Sequence, residues 1–352
     1  MIDPAWMPER LAAFLGPVLG PEVRVESYEQ VLGGFSRLTA RFRCSVDGGP
    51  SRTLILRGDP PPERETTRTD RGVEFRVMSA LYRAGTVPLP EPLALDESGT
   101  ALGTPAMVME DVPGRSLLHE AAATDAAWRP DLAMRLVDLA VRIHTVDTAS
   151  LPELDRARDW DGYIDGCIAA WREIERGHPE SDPFIRYLAA WLDEHRPPPA
   201  PLTLVHGDFH AGNILVSPDG KLTAVDWEFS RIADPREDLG WFTAIGASMP
   251  PDLVSEEIDV FCAEYRELTG LGADLINPWT ISYFQILSGA NLFGGVMAQA
   301  SSLARGEVRN VKPIYVTGFI VTGHQAWFHG PQSLESALRS APEPTLGAGV
   351  AP

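Results

Sequence analysis

His206-Gly207-Asp208-Phe209-His210-Ala211-Gly212-Asn213-Ile214-Leu215-Val216, followed by Val225-Asp226-Trp227, decides how this sequence is read. An apolar run, Leu202–Val205, leads into a Gly-containing loop that presents Asp208. Asn213 comes five residues later, and a second apolar strand, Ile214–Val216, fixes the far side of the loop. The turn Ser217-Pro218-Asp219-Gly220 reverses the chain into Leu222–Val225, which delivers Asp226. The pattern predicts that Asp208 and Asp226 lie at the ends of neighbouring short strands, forming one polar cluster with Asn213.

Such a cluster has the parts phosphoryl transfer requires. The transition state spreads charge over phosphoryl oxygens, so the protein chiefly positions reactants and holds Mg²⁺. Mg²⁺ takes hard oxygen ligands, usually one or two carboxylates together with substrate phosphates. A further carboxylate must orient the attacking hydroxyl and accept its proton. His206 and His210 sit in a loop with Gly207 and lack a nearby third ligand, so they read as loop supports and not as a zinc site.

The tract resembles the catalytic and metal-binding segments of the aminoglycoside phosphotransferase and choline-kinase-like branch of the protein-kinase-like superfamily. The resemblance implies Asp208 as catalytic base, Asn213 and Asp226 as Mg²⁺ ligands, and ATP or GTP as phosphoryl donor. It also implies an α+β, bilobal kinase-like fold, with a five-stranded antiparallel sheet plus one helix in the small lobe and a mostly helical large lobe.

The upstream sequence agrees with that order of parts. Val23–Phe42, Thr53–Arg57, Leu93–Asp96 and Ala106–Glu110 alternate as strands, and Thr69–Ala84 carries helical spacing closed by Gly85. A first helix over 6–16 is predicted to stop at Gly16-Pro17. Gly33, Gly34 and Ser36 lie between two strands, where backbone N–H groups can approach phosphates. Arg57 stands where protein kinases carry a strand lysine, and Glu74 is its expected helical partner. Met107–Gly114 resembles the family's hinge, in which main-chain atoms of Glu110 and Val112 meet the purine. Downstream, Asp234-Pro235-Arg236-Glu237-Asp238-Leu239 resembles the segment whose second Asp, here Asp238, braces the catalytic loop.

The domain reading is therefore 1–110 for a nucleotide-clamping lobe, a hinge at about 108–114, and 115–340 for the catalytic and acceptor-binding lobe. Helices are predicted over Trp128–Val146, Trp160–Arg176, Pro183–His195, Asp252–Thr269, Trp279–Arg305 and Pro313–His329, and residues 341–352 read as a disordered tail.

A chain of 352 residues with net charge −19 is not built for nucleic acid or an anionic membrane surface, which demand surplus Lys and Arg. No segment reads as a signal peptide or membrane span, and Cys44, Cys167 and Cys262 show no disulfide or zinc spacing, which fits a cytoplasmic protein. The partner expected is a small molecule with a hydroxyl acceptor; the sequence does not specify an oligomeric state.

Two acceptor classes stay open. The acidic charge, with Glu228 and Glu237 near the site, favours an aminoglycoside-like compound. The Leu56–Pro61 and Gly33–Thr39 stretches resemble kinases associated with acyl-CoA dehydrogenases, which implies a hydroxylated metabolite such as a hydroxyacyl thioester. Tyr283, Phe284 and Phe293 read either as lining for an apolar pocket or as ordinary core. A catalytically inactive, nucleotide-binding kinase-like module is the non-enzyme alternative.

Overall fold

The computed structural model describes residues 6–31, 38–59, 70–123, 129–177, 183–248, 257–289 and 305–306. Gly33, Gly34, Ser36, Phe293, the segment 307–340 and the predicted tail lie outside the described residues.

The chain begins with α1 (Met7–Leu19), β1 (Val23–Gln30), β2 (Leu38–Val46) and β3 (Arg52–Gly58). Then come α2 (Arg71–Ala84), β4 (Pro92–Asp96) and β5 (Ala106–Glu110). The five strands form one antiparallel sheet in the order β1-β2-β3-β5-β4. α1 does not stop at Gly16-Pro17. It runs on to Leu19, because Pro17 falls in its last turn and its missing N–H removes only one ladder bond there.

Strand alternation splits β3 between two environments. Leu54 and Leu56 are fully buried on the face that packs on Leu11 and Leu15 of α1. Ile55 and Arg57 therefore share the opposite face, and Ile55 packs against the core containing Val77 and Leu81 of α2. The sheet thus aims Arg57 at the space below α2. α2 starts on the Asp70 side chain, which accepts from Val73 N, and ends on Gly85 at φ 65°.

Beyond residue 110 the structure is mostly helical: β6 (Arg115–Ser116), α3 (Leu117–Ala123), α4 (Arg129–His144), α5 (Trp160–Gly177) and α6 (Pro183–Glu194). β7 (Thr203–Val205), β8 (Ile214–Val216), β9 (Leu222–Ala224) and β10 (Arg231–Ala233) follow, and then α7 (Arg236–Ser248), α8 (Ile258–Thr269) and α9 (Pro278–Leu287). The short strands form two sheets, β7 with β10 and β6-β8-β9.

The largest core takes Val77, Met107 and Met109 from one side of the 108–114 link, and Leu136, Phe209 and Trp227 from the other. A separate core joins α5, α6 and α9 through Trp171, Leu188 and Phe284. Among the described residues no helix is long and apolar enough to cross a membrane, and the three cysteines are unbridged.

Candidate active site

Asp208 and Asp226, expected at the ends of neighbouring short strands, follow β7 and β9, which belong to different sheets. β7 pairs with β10, whereas β9 pairs with β8. The two segments are joined instead by His206 and by one backbone bond. His206 is fully buried, donates through Nε2 to Val225 O at 3.0 Å, and accepts from Asp208 N at Nδ1, 3.3 Å away. Val225 N donates to Asn213 O at 2.9 Å. One imidazole thereby sets the distance between the two acidic segments. Its ring lies 4.7 Å from that of buried Trp227, and burial pushes its pKa down, so the neutral donor–acceptor form persists.

The Asp208 carboxylate is held from both sides. Oδ1 accepts from Trp241 Nε1 at 2.8 Å and Oδ2 from Asn213 Nδ2 at 2.8 Å. The same Nδ2 reaches Asp208 O at 3.1 Å. Because the amide nitrogen faces Asp208, the Asn213 Oδ1 is left as an oxygen donor, and it accepts no hydrogen bond among the described residues. His210 caps the following turn by accepting from Gly212 N at 3.0 Å, and its Nε2 stands 3.5 Å from Asp208 Oδ2. Burial raises the Asp208 pKa, but the His210 contact and the Trp241 bond outweigh it and hold the carboxyl below its usual range.

Asp238 supports this loop from below. Its Oδ2 accepts from His206 N at 2.7 Å and its Oδ1 from Gly207 N at 2.9 Å. His144 Nε2 donates to Oδ2 at 3.1 Å, with Tyr265 OH 2.8 Å from the other ring nitrogen. Burial opposes the Asp238 charge, yet these donors hold its pKa down. Gly207 sits at φ 80°, and a Cβ there would strike Phe229 O and the Arg231 guanidinium, so no other residue fits the loop at this point.

Asp226 also takes a left-handed backbone, φ 71°, a strained state for a non-glycine residue and common at functional sites. Its Oδ1 pairs with Arg57, which stands 3.5 Å from Glu228 as well. The pairing expected between Arg57 and Glu74 is not the one formed among the described residues. Glu74 pairs with Arg71 on its own helix, three residues away, and its charge also acts on Arg57. Arg57 stays charged, since burial disfavours its cation but the carboxylates around it more than compensate. Its Nε is buried with no hydrogen-bond partner among the described residues.

In the expected hinge stretch 108–114, Glu110 N–H donates to Glu91 O at 2.9 Å, and the Val112 backbone N–H makes no bond among the described residues. A cavity of about 320 Å³ is lined by Gly166 and Cys167 of α5 together with Arg231, Glu237 and Leu287. Tyr163 OH donates to Glu237 at 2.6 Å across its end. Tyr283 and Phe284 are fully buried in the α5–α6–α9 core, so these two aromatics are packing residues.

Trp241, Arg71 and His144 were not anticipated. For Trp241 a signal existed: it lies one helical turn after Asp238, on the same face.

The fold is protein-kinase-like, of the aminoglycoside phosphotransferase and choline-kinase type. The sequence profile of the phosphotransferase enzyme family matches residues 27–273, and the chain belongs to that family. Among solved structures it resembles an aminoglycoside phosphotransferase-type protein of Ralstonia eutropha, with TM-score 0.68, 20% identity and coverage of 95% of this chain and 99% of that one. It also resembles the ethanolamine kinase of Plasmodium vivax, with TM-score 0.59, 14% identity and coverage of 92% and 86%. A third is an aminoglycoside phosphotransferase in ternary complex with ADP and hygromycin B, with TM-score 0.58, 16% identity and coverage of 97% and 99%. Among curated proteins, mouse acyl-CoA dehydrogenase family member 10 is 31% identical over 196 residues, 54% of this chain and 18% of that protein. Mouse acyl-CoA dehydrogenase family member 11 is 28% identical over 267 residues, 69% of this chain and 33% of that protein. The chain spans well under half the length of these relatives.

Proposed function

We propose that this chain transfers the γ-phosphoryl group of ATP or GTP to the hydroxyl of a small molecule. The observation that carries the reading is the Asp208 carboxylate, held ionised and aimed by Trp241 and Asn213 on a loop tied through His206 to the Asp226 segment. Asp208 accepts the hydroxyl proton as the acceptor oxygen bonds to phosphorus and the bond to the departing nucleoside diphosphate breaks. Each carboxylate oxygen has a second lone pair, so the existing bonds orient the base without blocking it.

Asn213 Oδ1 and Asp226 are hard oxygen donors of the kind Mg²⁺ takes together with phosphate oxygens. Mg²⁺ bound there would neutralise charge on the triphosphate. The unpartnered Arg57 Nε fits a phosphate oxygen, with Gly33, Gly34 and Ser36 as the covering loop and Glu74 as a further charge. Glu110 O and Val112 N–H are the main-chain groups for the purine. The reading keeps residues 1–110 and 115–340 as the two lobes around this cleft, in a cytoplasmic protein.

For the acceptor we favour a hydroxylated metabolite such as a hydroxyacyl thioester. Two observations support it: the named relatives are acyl-CoA dehydrogenase family members, and the cavity beside α5 is walled largely by small and apolar side chains. An aminoglycoside-like acceptor is favoured by the net charge of −19 and by Glu237 in the cavity lining. Incubating the protein and MgATP with panels of both classes, and detecting phosphorylated product by mass spectrometry, separates the readings. Product from hydroxyacyl thioesters and none from aminoglycosides is expected. The reverse overturns the acceptor assignment.

A further inference from the structure

Arg71 is the first residue of α2, and its guanidinium is only 1% exposed. A buried cation at a helix N-terminus is opposed by desolvation and by the helix dipole, so its partners must be strong. There are three, each from a different element. Asp59 Oδ1, just past β3, accepts from Nε at 3.1 Å and from Nη2 at 2.7 Å. Glu74, on α2, accepts from Nη1. Glu228 Oε2, two residues past Asp226, lies 3.9 Å from Nη2.

The same Glu228 oxygen lies 3.5 Å from Arg57, and Arg57 pairs with Asp226. Charges therefore alternate without a gap from Glu74 through Arg71, Glu228 and Arg57 to Asp226. Where a single cation–carboxylate pair was expected between β3 and α2, two arginines share the task with Glu228 between them.

We propose that Arg71 is a positioning residue for the phosphoryl-donor site, acting through Glu228 and Arg57 on Asp226. The inference rests on the phosphotransferase reading above. Arg71 holds Glu228 at the end of the cleft, Glu228 limits where the Arg57 guanidinium can go, and Arg57 fixes the carboxylate of the strained Asp226. Arg71 and Asp226 form no direct pair, so any coupling between them is carried by the two groups between. Five N–H donors in a planar fork allow one side chain to serve three carboxylates; a lysine ammonium can replace the charge but not the fork.

The experiment has two readouts. The first uses nucleotide-free protein: a double-mutant cycle of Arg71→Met and Asp226→Asn in urea unfolding, repeated in a Glu228→Gln background. The relay predicts non-additivity of at least fivefold in the unfolding constant, about 1 kcal/mol, which disappears with Glu228→Gln. Additive effects, or coupling that survives Glu228→Gln, overturn it. The second is MgADP affinity by calorimetry. Arg71→Met is expected to weaken binding at least tenfold, Arg71→Lys to recover part of it, and Arg76→Met to leave it unchanged. Arg76 lies on the same helix in an exposed pair with Glu97.

Loss of stability in Arg71→Met with unaltered affinity per folded molecule means a structural role only and overturns the proposal. Should Arg71→Met not fold, the Arg71→Lys and Glu228→Gln affinities decide, both being expected to fall. Failure of the wild type to bind MgADP overturns the phosphotransferase reading and the positioning role together, whereas normal wild-type binding with unchanged variants overturns the positioning role alone.

Discussion

Two side chains carry most of what the site does, and both can be tested one atom at a time. Asp208→Asn keeps the shape but removes the proposed base, so kcat should fall about 10²–10⁴-fold with unfolding midpoint and MgADP affinity little changed. Steady-state kinetics beside calorimetry checks this. His206 gives a pH prediction whose sign follows from burial. Its folded pKa lies below the ordinary value, so its contribution is present above about pH 6.5 and is lost as pH falls through the folded pKa. Asp208 and Asp238 are also depressed, so theirs persists to about pH 4 and is lost only below it. Thermal unfolding between pH 7 and 5 should show a falling Tm in the wild type and a flatter profile in His206→Gln. Parallel profiles would remove His206 as the titrating group.

At the scale of elements, most strands and amphipathic helices were legible from apolar spacing and the turn residues that bound them. β1 to β5, α2, α4 and α5 fall within a few residues of the expected spans. α7 and β10 were not read, because α7 buries residues on nearly all sides and begins in the polar run Asp234–Asp238, leaving no helical periodicity to see. The pairing of β7 with β10 was hidden for the same reason. The Asp208–Asn213 tract was legible as a string, but its dependence on Trp241 and His144 was not, since spacing carries no information on contacts between distant elements. The run Asp234–Asp238 holds the fully buried Asp234–Arg236 pair, in which Trp160 Nε1 also donates to Asp234 at 2.7 Å. Asp234→Ala should cost about 3–5 kcal/mol by leaving a buried guanidinium unpaired. Disrupting the exposed Arg142–Asp138 pair on α4 should cost roughly 0.5 kcal/mol or less. Chemical denaturation of the two variants compares them directly.

Across the whole molecule, the acidic excess and the cleft act together. Net charge −19 produces self-repulsion in the compact state, so moderate salt should raise Tm by roughly 1–3 °C; a fall would show that surface ion pairs dominate. The sheet and the helical part share a core through α2, β5 and α4, and Arg57 of β3 pairs directly with Asp226. Phosphoryl transfer is the proposed activity, and ³¹P NMR of the protein with MgATP and a panel of hydroxylated acceptors measures it. Wild type should give ADP together with a new phosphomonoester resonance, and Asp208→Asn neither. Equal phosphomonoester from Asp208→Asn, or nucleotide binding with no phosphomonoester from any acceptor, would contradict it.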